Sequence, residues 1–224
     1  MNRSASVDRR SIAGMAKTQN RAELGAAKKL DILDAAAQCF MLRGYNSATI
    51  DHIADLCSAT KGLVYYHFRS KSDLFIGVYR RALRRSITRA TPIAEAAGSG
   101  AEKLQKLCEA HILGMFKNLA YHHVTEQGIE FHLVNTLTPE QRAALRKLVK
   151  LRDQYQDIFV GVITEGIRDK TLDCDDVPLA ARTILSSLNG VSMWYRPRQA
   201  QSQESKELLA KKIIALILRG VIRA

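Results

Sequence analysis

Apolar runs long enough to cross a bilayer, roughly 18 residues or more, are absent from this 224-residue chain. The first 25 or so residues are polar and basic, with no apolar segment of the kind that marks a secretory signal, so none is expected. Cysteine is scarce: Cys39, Cys57, Cys108 and Cys174 stand far apart, with no Cys-x-x-Cys pair. Such spacing speaks against a disulfide framework and reads as small buried hydrophobes in a reducing compartment. The expected location is cytoplasmic, with no membrane partner. Only four prolines interrupt the chain, and strand-type alternation is rare, whereas Ala, Leu, Arg, Lys, Glu and Gln are plentiful, a helix-forming composition. Enzyme signatures are missing too. There is no nucleophile elbow, no His-Glu-x-x-His, no phosphate-cradling glycine loop and no paired Glu-x-x-His, so a helical enzyme is the weaker alternative.

What the chain does have is positive charge, unevenly placed. The formal net charge is +12. Residues 1–90 carry 16 Lys/Arg against 7 Asp/Glu, and the remaining residues 18 against 15. The basic excess therefore lies in the first two-fifths, where a polyanion would dock. Charge alone leaves an anionic membrane, or simple solubility, as alternatives.

Residues 1–25 lack sustained apolar periodicity and read as a flexible basic arm, in loose contact with phosphates or with no specific role. From Ala26 the spacing predicts a helix to Leu42, with Leu30, Leu33, Ala37 and Phe40 as its apolar stripe, stopped by Gly44. Ser47 or Thr49 can cap a two-turn helix whose inward stripe is Ile50, Ile53 and Ala54. After Ser58-Ala59, Thr60 caps a second short helix through Phe68. Ser70-Lys71-Ser72-Asp73 has the form of a capping box and opens a long arginine-rich helix with Pro92 near its end. Further helices are expected at about 101–120, 126–136, 139–168, 177–195 and 203–222, with Thr138-Pro139 as a clear start.

Two short helices joined by a tight turn and backed by a longer one form a helix-turn-helix. In such a unit the second helix enters the major groove and the first crosses the backbone. Thr60, Lys61, Tyr65, Tyr66 and His67 would give that second helix a polar, aromatic and basic outer face. Gly62, without a side chain, would let the backbone approach DNA closely. Ser70 starts the next helix, whose free amides could hold a phosphate with help from Lys71.

The stretch from Gly44 to Leu74, GYNSATIDHIADLCSATKGLVYYHFRSKSDL, resembles the DNA-binding signature of TetR-family regulators. The matching places are Gly44-Tyr45, Thr49, Ile53-Ala54, Thr60, Gly62, Tyr65, His67-Phe68 and Ser70-Lys71 with Leu74. Ser58 departs from the pattern, standing where the family has a turn glycine; a left-handed serine there costs about 1 kcal/mol. The resemblance implies that Thr60, Lys61, Gly62 and Leu63 face the bases or flanking backbone. It places Tyr65, Tyr66 and His67 between groove edge and phosphate, and Thr49 and Lys71 on phosphates. Ile50, Ile53, Ala54, Val64, Phe68, Leu74 and Phe75 are expected in the core.

The expected fold is all-α: an N-terminal three-helix helix-turn-helix domain (26–74) and a C-terminal helical ligand-binding and dimerisation domain (75–224). The family implies a homodimer joined through the last two helices. Consistently, Leu208 to Val221 is apolar on most of its circumference and needs a second partner. Two recognition helices imply a palindromic double-stranded operator, and a small-molecule effector would release a repressor from it. A non-specific DNA-binding helical protein without effector is the rival reading.

Pocket candidates are His111, Met115, Phe116, Tyr121, His122, His123, Phe131, His132, Tyr155, Phe159 and Trp194, though each taken singly reads first as core packing, because apolar stripes usually pack helices together. No complete metal shell or cofactor motif emerges, because adjacent histidines on a helix point apart. Leu188-Asn189-Gly190 with Met193-Trp194-Tyr195-Arg196-Pro197 is similar to TetR-type regulators of lipid and acyl-CoA breakdown. That similarity implies an acyl-CoA or other long apolar-anionic effector, with Arg196 or Arg198 on its phosphates. The alternative is that Trp194 and Tyr195 cap the dimer helix and the arginines are solvated.

Overall fold

The computed structural model describes residues 5–126, 137–198 and 201–219. Every regular element among them is a helix: α1 (Ala5–Ser47), α2 (Ile50–Leu56), α3 (Lys61–His67), α4 (Lys71–Ala94), α5 (Gly100–Lys117), α6 (Leu119–Glu126), α7 (Pro139–Arg168), α8 (Val177–Trp194) and α9 (Gln203–Leu218). Phe131, His132 and the helix expected at 126–136 lie outside the described residues, apart from Glu126 at the end of α6. The first helix begins at Ala5, well before the apolar stripe. Ala, Arg, Lys, Gln and Glu between residues 9 and 29 are strong helix formers, so propensity extends the helix where periodicity shows nothing. The helix expected over 101–120 breaks at Asn118. Its side-chain amide donates to the Gly114 carbonyl (3.0 Å) and its oxygen accepts from Arg85 (3.2 Å).

Caps place the helix starts where the sequence put them. Thr49, Thr60 and Ser70 accept from the amides of His52, Leu63 and Asp73. Thr138 and Gln141 form a reciprocal capping box around Pro139. At Ser70 only half of the expected box exists: the Asp73 carboxylate instead accepts from Gln141 of α7 at 3.0 Å. Gly44 breaks α1 at φ 73°, a region where glycine bears no Cβ penalty. Ser58 takes φ 47°, so the turn glycine's role is filled by a strained serine.

Burial is organised around α4. Leu74, Phe75 and Val78 meet Ile32, Ala36 and Phe40 of α1, Ile53 of α2 and Val64 of α3 in one cluster. Phe75 packs edge-on against Phe40 and Tyr45, and the three ring centroids lie 5.2–5.7 Å apart. Tyr121 and Val124 of α6 and Leu148 of α7 belong to that same cluster, so the N-terminal core continues into the body. A second cluster joins Ala90 at the far end of α4 to α5, α7, α8 and α9.

Where α5 crosses α7 the backbones nearly touch. A Cβ built on Gly100 would lie 2.2 Å from the Gly166 Cα. Backbone cannot yield as a side chain can, so Gly100→Ala should destabilise the fold by about 2 kcal/mol or more. Gly161, exposed in mid-α7 with open space around it, should gain up to about 1 kcal/mol on becoming alanine. Urea titrations of the two variants check the pair; equal midpoints would contradict the close crossing.

Candidate functional site

The helix-turn-helix presents α3 outward. Val64 and Phe68 are buried beneath it, and the cap at Thr60 sets its start. Tyr66 is 82 % exposed, and Thr60, Lys61, Gly62 and Tyr65 are exposed on the same short helix. Leu63 and His67 are half-buried at its edges. Lys61 donates to Asp51 of α2 at 2.8 Å. The His67 ring packs edge-on to Tyr66, and burial followed by the Lys29 charge holds its pKa below the ordinary value, so it is neutral near pH 7. Gly62 is uncrowded: an added Cβ would meet only Thr60 Oγ1, at 4.0 Å. The fold itself therefore does not require glycine there.

Two residues expected on phosphate are differently engaged. Lys71 Nζ donates to the carbonyls of Tyr45 (2.8 Å), Asn46 (3.1 Å) and Ala48 (3.0 Å) and lies over the Tyr45 ring. An ammonium has three donors, so all are occupied in fastening α4 to the turn after α1. Ser70 Oγ accepts from the Asp73 amide and from Gln141. Thr49 is exposed and caps α2.

In the body a cavity of about 780 Å³ opens between α4, α5, α6, α7 and α8. Its walls include Tyr79, Leu83 and Ser86, spaced along one face of α4, with His111, His122, Tyr155 and Asn189 from the other helices. His111 Nδ1 and the Tyr155 hydroxyl share a 2.9 Å hydrogen bond, and His122 packs edge-on at 5.4 Å. Burial pushes the His111 pKa down to about 4; Asn189 opposes this and Arg89 adds to it. His122 is lowered as well, by burial and then by His111 and Arg89. Both imidazoles are neutral near pH 7.

Of the remaining pocket candidates, Met115, Phe116 and Phe159 are buried packing residues, Phe116 stacking on Tyr195 at 4.0 Å. Trp194 is exposed and lines a separate surface groove with Arg196, Arg198 and Lys212. Arg196 there donates to the Met193 and Tyr195 carbonyls. Ser86 and Arg89 had no sequence signal beyond helical spacing, whereas Asn189 stood in the segment similar to regulators of lipid breakdown. Among the described residues no cluster of three or more His, Cys, Asp or Glu is placed to hold a metal, and no helix is long and apolar enough to cross a membrane.

Residues 32–78 match the family model for bacterial regulatory proteins of the tetR family, and residues 97–221 match a Tetracyclin repressor-like C-terminal domain. The chain belongs to the TetR family. It is a DNA-binding transcriptional regulator, not an enzyme. It is 25 % identical over 197 residues to the HTH-type transcriptional repressor KstR2 of Rhodococcus jostii, covering 88 % of this chain and 92 % of that one. PfmR of Thermus thermophilus superposes with a TM-score of 0.70 at 29 % identity, covering 86 % of this chain and 96 % of that one. The Bacillus subtilis regulator FadR, solved with stearoyl-CoA, does so with 0.64 at 23 %, covering 85 % and 98 %.

In this TetR-family regulator the cavity and the DNA-binding domain meet on neighbouring residues of α6. Tyr121 donates to Asp34 of α1 at 2.7 Å. Arg81 of α4 bonds both Tyr121 (2.8 Å) and Asp34 (3.2 Å), and also the Leu30 carbonyl. The adjacent His122 faces the cavity.

Acid should expose the buried histidines. His111 has a folded pKa near 4 against an ordinary 6.5, so the unfolded chain takes up the proton first as pH falls. Its stabilising contribution is complete above about pH 6.5 and is lost on the way down to pH 4. Between pH 7 and pH 5 the loss from His111 should be about 2 kcal/mol, read as a falling urea midpoint whose slope His111→Phe reduces, the remainder being due to His122. A midpoint unchanged across that window in the parent protein would show that the ring is not buried in its neutral form.

Proposed function

We propose that this protein is a cytoplasmic homodimeric repressor that binds a palindromic operator through α3 and leaves it when a small molecule occupies the cavity. The outward presentation of Thr60, Lys61, Gly62, Tyr65 and Tyr66 above the buried Val64 and Phe68 carries this reading. Thr60, Lys61, Gly62 and Leu63 would meet base edges, whereas Tyr65, Tyr66, His67 and Thr49 would meet the backbone. Lys71 and Ser70 would act by holding the start of α4 in place.

Dimerisation is supported by apolar surface on the last two helices. Met193 (68 % exposed), Trp194 and Leu179 mark one face of α8, and Leu208 and Leu216 (67 %) mark α9. Between Leu179 and Met193 that face of α8 carries the small residues Thr183, Ser186, Ser187 and Gly190, which would let a second helix approach closely.

Release would run through α6 and α4. An effector must bind the DNA-competent and DNA-incompetent states unequally to shift them. One that displaces His122 would disturb the neighbouring Tyr121–Asp34–Arg81 bonds, which tie the body to α1. A coupling of about 1–3 kcal/mol changes operator affinity about 5- to 150-fold. FadR with stearoyl-CoA supports an acyl-CoA or another lipid-derived ligand as the effector class.

An inverted-repeat fragment selected by the protein from a random duplex library allows the test. Across rising salt a specific repressor keeps its preference for that repeat, whereas a non-specific binder loses all affinity along the counterion slope. Tyr66→Phe should weaken every sequence alike and Lys61→Ala should relax base preference. Gly62→Ala should leave thermal stability intact yet weaken operator binding. Full affinity in all three variants would remove α3 from the groove.

Sedimentation velocity checks the assembly. The parent protein should sediment as a dimer, and the double change Leu208→Glu/Leu216→Glu should yield a folded monomer. A parent monomer, or a charge-bearing variant that still dimerises, would relocate or abolish the interface.

A further inference from the structure

Just beyond the α4 wall of the cavity stands a positive charge without a counter-ion. Arg89 is half-buried and follows Ser86, the last residue of α4 that lines the cavity, by one turn. Its guanidinium lies across Gly114 of α5, where a built Cβ would fall 2.6 Å from Nη2. Only glycine leaves it that seat. Gly114 is one turn from His111 along α5, and the Arg89 charge is felt at His111, His122 and Tyr155.

Arg89 makes no hydrogen bond or ion pair among the described residues, and it is not among those whose interactions lie elsewhere. The ionisable neighbours acting on it are Tyr155 and the like-charged Arg85, not a carboxylate. His111 Nε2 is fully buried with no hydrogen-bond partner of acceptable geometry, although the Asn189 amide is near. A half-buried charge without a counter-ion lacks the pairing that would offset its lost hydration, and a buried imidazole nitrogen without a partner adds to that cost. Ser86, Tyr155 and Asn189 could supply neutral acceptors nearby. The carboxylates of the lining, Asp153 and Asp157, sit on the exposed side of α7. Tyr79, Ala82, Leu83 and Leu185 provide apolar wall.

From this juxtaposition we propose that the cavity recognises an oxyanion carried on an apolar body, with the anionic group seated on Arg89 and His111. The arrangement suits an oxyanion that can accept two hydrogen bonds side by side, because guanidinium donors form a fixed planar fork. A free carboxylic acid and the phosphates of a coenzyme A thioester share this chemistry. Arg89 is thus a specificity-determining residue, separate from the surface arginines Arg196 and Arg198. The inference rests on the effector reading above but concerns the ligand's head group.

Thermal-shift measurements on the full chain provide the test, with straight-chain carboxylates from butyrate to palmitate, their methyl esters and the matching coenzyme A thioesters. At least one acid or thioester should raise Tm by several degrees while its methyl ester does not. Arg89→Gln should keep or slightly raise the Tm of the free protein, because an unpaired charge is removed. It should weaken the responsive ligand about 10-fold or more, the loss expected for a hydrogen bond to a charged group, and Arg89→Lys should restore part of the response. If the acid alone responds, the head is a carboxylate; if only the thioester does, it is a phosphate. An ester that stabilises as well as its acid, an undiminished response in Arg89→Gln, or no stabilisation by any probe would overturn the proposal. Gel shifts on the selected repeat keep the two readings apart, since Arg89→Gln should still bind DNA as the parent does. If a ligand raises Tm through Arg89 yet leaves the protein on DNA, the oxyanion site stands and the effector role falls.

Discussion

The apolar core gathered along α4 is the constraint on which the rest of the molecule depends. One end of that helix is sealed by α1, α2 and α3, and the other by α5 and the closing helices. Because Tyr121, Val124 and Leu148 of the body enter the N-terminal cluster, the helix-turn-helix is not a bead on a linker. Close-packed interiors transmit displacement instead of absorbing it, so this shared core gives the body a direct packing contact with the helix-turn-helix. The Tyr121–Asp34–Arg81 bonds add direction to that contact. They place a polar fastener, sensitive to small rotations of α6, beside a residue that lines the cavity.

The cavity is expensive in the folding sense. A buried imidazole nitrogen without a partner and an arginine without a counter-ion oppose folding, and the two histidines held neutral by burial join them once the pH falls below about 6.5. The glycine beneath Arg89 is a further accommodation. By contrast, the outer face of α3 costs the fold nothing, since exposed tyrosines and an uncrowded glycine make no demands on the core. Different physical signatures therefore mark the two candidate sites, one by strain borne inside and the other by freedom left outside.

How much of this was legible in the sequence differs by element. Thr60, Thr138 and Ser70 announced helix starts because capping is local, and Ile50, Ile53, Val64 and Phe68 announced the inward faces because helical periodicity is local as well. Ser58 could be named as a strained turn from the missing glycine alone. The split at Asn118 was not legible, since it rests on Arg85 lying 33 positions away in the chain. Lys71 looked like a phosphate ligand for the same reason: the carbonyls that occupy it belong to residues 45, 46 and 48, and only the folded turn points them at it.

By itself the sequence determined the family, the helical architecture and the outward face of α3, because each rests on contacts between residues a few positions apart. Tertiary structure alone decided which buried aromatics and histidines meet a cavity and which merely pack. His111 and Tyr155, 44 positions apart, line it, while Met115, Phe116 and Phe159, on the same helices, face the core. Helical spacing tells which residues share a face, but what that face meets is set by how several helices pack together, and no single segment carries that information.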